Sequence, residues 1–283
     1  MKKRSQYCFA ALLPLLLSST LLSAAEPEQP KKQVIEQAQQ GKIIWADLYT
    51  GDVKASLNFY TDTFGWTVRK FGEKNDRYHL LFDGDQAIAG ILAHSAQRNK
   101  TETALWIGSI STNNLQARIT NAANNNATIL LKPHDFALYG TRAVIADPQG
   151  GVIALLDISG ADKAQQKISH KWNWSQLFSI DPKKAASFYQ NTFNYTVEEI
   201  AQNKSSYYLS QQNEVMASIV KLPKSFEQRD RWVNFIEVNN LVNTLATATK
   251  NGAVVIYQPE DSSLAIIADP NGALLGLTEQ ESE

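Results

Sequence analysis

The sequence predicts an α+β fold made of two copies of one module, and two internal repeats carry this prediction. The segment WADLYTGDVKASLNFYTDTFGWTV, Trp45 to Val68, matches the segment WSQLFSIDPKKAASFYQNTFNYTV, Trp174 to Val197, at ten of 24 positions. A second segment, AVIADPQGG from Ala143, matches AIIADPNGA from Ala265. Because self-similarity at a long spacing indicates a duplicated structural unit, we expect two related modules.

The hydrophobic pattern predicts the order of elements within each module. A strand pattern over 43–49 is followed by an amphipathic helix and then by three short β-rich runs. The same order restarts with a strand pattern at 105–110, a helix over 115–124 and three more strands. The second module repeats this sequence of elements from residue 170 onward. Each module is therefore predicted to be a pair of βαβββ units.

Residues typical of helix ends mark the first helix of each module. Asp52 is a candidate N-cap for the first module, and in the second module Pro182 follows Asp181 at the first helical position, where a missing N–H costs nothing. Gly65 and Asn194 stand at matching helix ends. Both residue types adopt positive φ readily, so we expect both helices to end on a left-handed residue.

The N-terminus has the pattern of a secretory signal peptide. Basic residues at 2–4 precede an apolar run over 9–22 and the small residues before Glu26. The run is short for a membrane span. We therefore expect a signal peptide at 1–25 and a periplasmic or secreted location. The alternative that this segment stays attached as an anchor is left open.

The remaining boundaries follow from composition. A polar lead-in is predicted at 26–41, the first module at 42–158, a polar linker at 159–169 and the second module at 170–279. Cys8 is the single cysteine of the chain and would leave with the signal peptide, which excludes disulfides and thiolate chemistry from the mature protein.

Charge gives no indication of a nucleic-acid partner. The chain has 27 basic and 28 acidic residues, and removal of Lys2, Lys3 and Arg4 leaves 24 basic residues and a net charge of −4. Nucleic acids and anionic membrane surfaces attract basic proteins. We therefore expect no nucleic-acid partner and no membrane insertion after signal cleavage, with a homodimer left open.

The motifs resemble those of the vicinal oxygen chelate superfamily, which contains glyoxalases, extradiol dioxygenases and bleomycin resistance proteins. The resemblance rests on Asp52, the Phe59–Tyr60 pair, the run from Phe64 to Trp66 and the Asp-Pro-x-Gly sequence at 147–150. The Trp-x-Asp-Leu opening and the Trp106 and Trp232 strands are similar to a two-module glyoxalase-like subgroup. The resemblance implies that each module forms a cupped mixed sheet with helices outside.

The family resemblance also implies a divalent metal, but the usual ligand positions lack metal-binding side chains. The first ligand position holds Trp45 in the first module and Trp174 in the second. The central-strand position holds Ile107 and Val233, and the position after Asp-Pro-x-Gly holds Ala154 and Gly276. None of these side chains offers a lone pair to a metal. We therefore predict no cofactor, with a metal held by displaced ligands as the alternative.

Aromatic residues suggest a site for a small molecule. Trp45 and Trp174 stand where the family places a ligand-facing residue, and a tryptophan face suits stacking against a planar compound. Symmetric core packing is the alternative for both residues. Strand alternation places further side chains on the same faces and gives these candidate ligand-binding residues: Trp45, Tyr49, Ser109, Trp174, Gln176, Phe178 and Phe235.

Two functions remain open from the sequence, beside the alternative that the modules serve only as a structural or interaction scaffold. The first is binding of a small aromatic molecule in an apolar cup without a metal. The second is an enzyme, either a glyoxalase-like lyase or isomerase or a dioxygenase, that uses displaced metal ligands or acid/base carboxylates. The weak catalytic candidates are Asp47 and Glu237, each with a solvated strand-end carboxylate as the alternative.

Overall fold

The computed structural model describes residues 40–70, 78–93, 104–136, 140–158, 171–201, 205–223, 229–260 and 262–280. The predicted signal peptide, residues 26–39 of the lead-in and the linker at 159–169 lie outside these ranges. In the described part of the chain, no helix combines the length and apolarity that a membrane span requires.

Each predicted module forms one run of strands and helices in the predicted order. The elements of the first module are β1 (Ile43–Thr50), α1 (Val53–Phe64), β2 (Thr67–Lys70), β3 (Tyr78–Asp83), β4 (Gln86–Ala93), β5 (Leu105–Ser111), α2 (Leu115–Asn124), β6 (Thr128–Phe136), β7 (Gly140–Ala146) and β8 (Val152–Asp157). Those of the second module are β9 (Trp172–Ser179), α3 (Pro182–Phe193), β10 (Thr196–Glu199), β11 (Tyr207–Gln211), β12 (Glu214–Lys221), β13 (Arg231–Val238), α4 (Leu241–Lys250), β14 (Val254–Tyr257), β15 (Leu264–Ala268) and β16 (Leu274–Glu279).

Two mixed sheets of eight strands result, and they share one topology. The strand order is β2-β3-β4-β1-β5-β8-β7-β6 in the first sheet and β10-β11-β12-β9-β13-β16-β15-β14 in the second. The opening strand of each module pairs in parallel with the fourth strand of its unit and antiparallel with the strand that opens the next unit. This arrangement confirms the α+β fold of tandem modules.

The first sheet is strongly curved. Strands β3 and β6 are six positions apart in the sheet order, which would separate them by roughly 29 Å in a flat sheet. The ring of Tyr78 on β3 nevertheless lies 6.0 Å from the ring of Phe136 on β6, and the ring of Trp45 on β1 lies 6.5 Å from it. The sheet therefore wraps around an interior, which we call the first cup, and α1 and α2 pack on its outer face.

The helix ends confirm the predicted caps. The Asp52 side chain accepts a hydrogen bond of 2.9 Å from the Ala55 amide, and Asp181 caps α3 in the same way through Lys184. The helices end at Gly65 and Asn194, whose φ angles are 71° and 62°. Because the two copies use glycine and asparagine for the same left-handed position, the duplication extends to backbone conformation.

The apolar core is shared between the modules. One cluster joins the first half of the first module, including Leu48 and Phe59, to α4 and β16 of the second module. The other joins α2 and β8 to the first half of the second module, including Phe188 and Leu209. Between the modules, helix α1 packs against α4 and helix α2 packs against α3. Each module therefore buries the helix-covered face of its sheet against the other module.

Candidate functional site

The predicted site residues of the first module lie together in the first cup. Trp45 pairs with Ser109 across β1 and β5, and Tyr49 lies on the same face of β1. Trp45 is 3% exposed and packs with Leu80 and Leu156, whereas Tyr49 is half-buried. Ser109 is fully buried. The residues that line the first cup are therefore mostly buried and do not form an open aromatic surface.

Asp47 is buried at the centre of the first cup, so the alternative of a solvated strand-end carboxylate is wrong. One of its oxygens accepts hydrogen bonds from the Tyr78 hydroxyl at 2.7 Å and from the Trp45 indole N–H at 3.0 Å. The other accepts a hydrogen bond from the Arg142 guanidinium in a buried ion pair. A carboxylate engaged by three donors is held in one orientation, which favours a structural role for Asp47.

The electrostatics of the first cup keep its donors protonated. Burial, reinforced by the charge of Asp47, raises the pKa of Tyr78 well above its ordinary value. Burial lowers the pKa of Arg142, but Asp47, Tyr49 and Tyr78 together outweigh this effect and leave the pKa above its usual value. The guanidinium also lies over the Phe136 ring at 5.3 Å from the centroid. The cup therefore contains a permanent cation within an aromatic surround.

Gly90 makes room for this network. A Cβ atom at Gly90 would overlap both the Asp47 carboxylate and the Tyr78 ring. Gly90 pairs with Asp47 across β1 and β4. The close contact between Tyr78 and Asp47 therefore requires glycine at this position.

The predicted site residues of the second module line the corresponding face of the second sheet, which we call the second cup. Trp174 pairs with Phe235 across β9 and β13, and Gln176 and Phe178 follow on the same face. Trp174, Gln176 and Phe178 are half-buried, whereas Phe235 is 2% exposed. The structure therefore brings these four residues together, with Phe235 in the floor and the others nearer solvent.

The floor of the second cup is apolar and its wall is partly polar. The Phe235 ring lies so close to Gly276 that a Cβ there would overlap the ring, and Val233 and Ile266 pack beside it. Along the wall, the Gln176 amide donates a hydrogen bond of 3.1 Å to the Ser218 hydroxyl. Tyr208 pairs with Ser218 on the same face and is 37% exposed.

The two cups differ because the strand at one edge of each sheet differs in length. Strand β6 has nine residues and ends at Phe136, which contacts Trp45 and Tyr78, whereas its counterpart β14 has four. By sheet register Tyr257 at the end of β14 corresponds to Leu131 in the middle of β6. Strand β14 therefore stops before the position from which Phe136 covers the first cup.

Glu237 lies away from Asp47 in the fold. It stands near the end of β13, is half-buried, and pairs with Thr278 on β16. Its face is that of Phe235 in the second cup, whereas Asp47 lies in the first cup. The two candidate carboxylates thus belong to different cups.

The donor set of neither cup suits the divalent metal that the family resemblance implies. Ile107 and Ala154 carry no donor atom, and the Trp45 indole N–H is directed at Asp47. In the second cup the equivalent residues are Trp174, Val233 and Gly276. Within the described ranges, His, Cys, Asp and Glu form no group of three or more that could hold a metal ion.

A reciprocal hydrogen-bond relay joins the two modules. The Trp106 indole donates to the Tyr60 hydroxyl at 2.7 Å, and this hydroxyl donates to Asp269 of the other module at 3.0 Å. The second relay has the same form and runs from Trp232 through Tyr189 to Asp147, with distances of 2.8 and 3.0 Å. The Trp, Phe-Tyr and Asp-Pro-x-Gly motifs therefore meet at the boundary between modules, and Trp106 and Trp232 are core residues.

The two ends of this boundary carry different charge. Burial raises the pKa of Asp147 to about 6, although hydrogen bonds from the amides of Gly151 and Gln149 act in the opposite direction. Asp230 lies close by, and burial also raises its pKa. Its carboxylate accepts a hydrogen bond of 2.8 Å from the side-chain amide of Gln149. At the other end, the position of Asp230 directly before its strand is taken by Ala104.

The folded protein is expected to lose stability as the pH rises through the titration of Asp147. The folded pKa of about 6 lies above the ordinary value of 3.8, so the folded state keeps a proton that the unfolded state has lost. Stability from this group is full below about pH 4 and is lost as the pH passes 6, a change on the order of 2 kcal/mol. Urea unfolding between pH 4.5 and pH 7.5 measures it.

Asp147→Asn is the variant that isolates this effect, because the amide cannot ionise. We expect it to reduce the loss of stability between pH 4.5 and pH 7.5, with the remainder due to Asp230 and Asp269, whose pKa values are also raised. Asp62→Asn on the exposed side of α1 is the control and should not reduce it. An identical pH dependence in the protein and in Asp147→Asn would contradict the assignment.

Sequence reasoning missed Arg142 and Tyr78 in the first cup and Tyr208 and Ser218 in the second. A comparison of the two copies contains a signal for Arg142, because its charge and that of Asp47 occur in the first copy alone. Asp47 matches Gln176, and Arg142 matches Leu264 in strands that are otherwise similar. Two opposite charges confined to buried strands of one copy indicate that they pair with each other.

Comparison with known proteins identifies a family model and relatives that are similar to this chain. Residues 42–155 match the family model described as Glyoxalase/Bleomycin resistance protein/Dioxygenase superfamily. The first module is therefore similar to this superfamily. The curated anthracycline biosynthesis protein DauV of Streptomyces sp. (strain C5) is 24% identical over 260 residues, covering 84% of this chain and 93% of DauV.

Solved structures of the superfamily share the fold across both modules. The Mn(II)-bound glyoxalase from Novosphingobium aromaticivorans is 11% identical with a TM-score of 0.60, over 87% of this chain and 84% of that one. The 2,3-dioxygenase LapB from Pseudomonas sp. KL28 is 12% identical with a TM-score of 0.59, over 86% and 94%. At these identities the similarity concerns the fold.

Proposed function

We propose that this chain is an exported protein that binds a small aromatic molecule in the second cup without the aid of a metal ion. The observation that carries the proposal is the half-buried pair Trp174 and Phe178, together with the exposed Tyr208, above a buried apolar floor. Small-molecule sites combine an apolar, aromatic lining with a few polar groups. Here Gln176 and Ser218 supply the polar groups.

The shape of this lining favours a planar ligand. Aromatic rings stack on flat ligands and lose little side-chain freedom when they do so. The floor residues Phe235 and Val233 are buried and cannot rearrange without disturbing the core. We infer that the half-buried residues provide the contacts and that the floor sets the depth of the site.

The relatives give independent support for an aromatic ligand. DauV is named as an anthracycline biosynthesis protein, and anthracyclines contain planar fused rings. This chain covers 93% of DauV, so the similarity includes both modules. A polycyclic ligand would extend from the buried floor toward Tyr208 at the exposed wall.

Binding of this kind needs stacking and shape but no Lewis acid. The positions at which the superfamily resemblance implies ligands are Trp174, Val233 and Gly276 in this cup, and none can coordinate a metal. Export follows from the N-terminal pattern of basic, apolar and small residues.

Titration with 1-naphthol and with a dihydroxyanthraquinone tests the proposal. We expect quenching of tryptophan fluorescence and saturable heat in calorimetry, with tighter binding of the larger ring system. Trp174→Ala should weaken binding about 30-fold, which is the effect of losing a 2 kcal/mol aromatic contact. Treatment with EDTA or addition of zinc or manganese should leave the affinity unchanged.

The matched control is Trp45→Phe, because Trp45 occupies the same position in the first cup but is buried. This variant should keep the affinity of the unmodified protein for both compounds. Equal weakening by Trp45→Phe and Trp174→Ala, or binding that requires a divalent metal, would refute the proposal.

A further inference from the structure

The first cup contains buried donors that have no acceptor. Arg142 is 2% exposed, its Nη1 donates to Asp47, and the Tyr49 hydroxyl lies beside the guanidinium. The Nε and Nη2 atoms are nevertheless buried without a hydrogen-bond partner of good geometry. The Ser109 hydroxyl is also buried and has no partner. A buried donor without an acceptor costs about 1 to 3 kcal/mol. Such a concentration of them calls for an explanation.

The position of these donors is set by the sheet. Arg142 stands on β7 and Asp47 on β1, and strands β8 and β5 lie between them in the sheet. The ion pair therefore spans the interior across the residues of β8 and β5 that face the cup. Among these, Ala154 and Ser109 pair directly and are both small. The free edge of the guanidinium thus belongs to the interior of the first cup.

The fold itself does not require this ion pair. The second sheet forms with the same topology although Gln176 and Leu264 occupy the matching positions. Replacing a buried ion pair by apolar groups is often neutral or stabilising, so stability alone does not account for the pair.

The charge of Asp47 is already compensated by other groups. Tyr78 and Trp45 both donate to it, in addition to Arg142. The guanidinium therefore keeps attraction for a second anion. Its Nε and Nη2 atoms form the edge that binds the two oxygens of a carboxylate through parallel hydrogen bonds.

We propose that the Nε–Nη2 edge of Arg142 binds the carboxylate of a small organic acid in the first cup. The Ser109 hydroxyl supplies a further donor, and the Phe136 ring holds the guanidinium from one side. The first cup is then a second binding site, with a protein-derived cation as its anchor. This proposal does not depend on the aromatic site of the second cup.

The Arg142 Nε–H resonance of the 15N-labelled protein tests the proposal directly, with benzoate as the anion and benzamide as its neutral counterpart. The resonance is assigned by its loss in Arg142→Lys. We expect benzoate to shift it in a saturable manner and benzamide to leave it unmoved. An Nε–H resonance that benzoate does not move at 10 mM overturns the proposal, because water alone would then be the partner of these donors.

Variants separate this site from the second cup. Arg142→Lys keeps the charge but removes the two-donor edge and should weaken benzoate binding tenfold or more. Ser109→Ala is the milder variant and should weaken it several-fold, whereas Ser187→Ala on the exposed face of α3 should have no effect. Benzoate binding that is lost in Trp174→Ala but kept in Ser109→Ala would place the acid in the second cup and refute this inference. If Arg142→Lys does not fold, the Nε–H titration with Ser109→Ala still decides.

Discussion

Replacing Arg142 with alanine is expected to lower the free energy of unfolding by about 3 to 5 kcal/mol. The reason is that the substitution leaves Asp47 charged and buried in the first cup, with only the Tyr78 and Trp45 donors remaining. Urea unfolding followed by circular dichroism measures the loss. This is the largest single-residue effect that we expect from a polar group in this protein.

The second copy supplies the matched control. The double variant Asp47→Gln with Arg142→Leu introduces the residues that stand at these positions in the second cup, Gln176 and Leu264. Because it removes both charges together, we expect it to recover at least half of the stability lost in Arg142→Ala. If the double variant loses as much unfolding free energy as Asp47→Gln and Arg142→Leu lose together, the residues do not act as a pair.

The variant Tyr189→Phe is expected to lower the free energy of unfolding by about 2 to 4 kcal/mol, because two buried groups lose their partner at once. The Trp232 indole N–H loses its acceptor, and Asp147 of the other module loses a donor. The equivalent variant Tyr60→Phe removes the relay between Trp106 and Asp269 and should act similarly. Thermal and urea unfolding measure both.

Tyr257→Phe is the control for hydroxyl removal, since Tyr257 is 54% exposed on β14. Its stability should stay within about 0.5 kcal/mol of the unmodified protein. If Tyr189→Phe proves equally harmless, the relay does not stabilise the boundary between modules.

Local features of the fold could be predicted from the sequence because they depend on neighbouring residues. The N-caps at Asp52 and Asp181, the left-handed helix ends at Gly65 and Asn194 and the helix at 115–124 are of this kind. Each rests on backbone preferences that act within a few positions. Alternation along a strand likewise assigned Trp174 and Phe178 to one face.

Features that depend on strands far apart in the chain could not be predicted in the same way. Strand alternation places Asp47 on the cup face but cannot show that Arg142, on a strand three positions away in the sheet, reaches it. The different exposure of Trp45 and Trp174 depends on the length of β6 relative to β14, which is a property of the sheet edge. The two tryptophans occupy equivalent positions in the sequence repeat, and the length of the edge strand makes their exposure differ.

The shared core has a consequence for how such a chain can arise and behave. Because α1 packs against α4 and α2 against α3, and because the two relays mirror each other, the molecule has the arrangement of a symmetric dimer whose subunits are fused. Fusion converts an association that depends on concentration into the folding of one chain. It also removes the requirement that the two halves have the same sequence. One half can then carry a buried charge pair while the other has an uncharged, more open interior. The covalent link between the modules thus allows the two cups to differ within one symmetric arrangement.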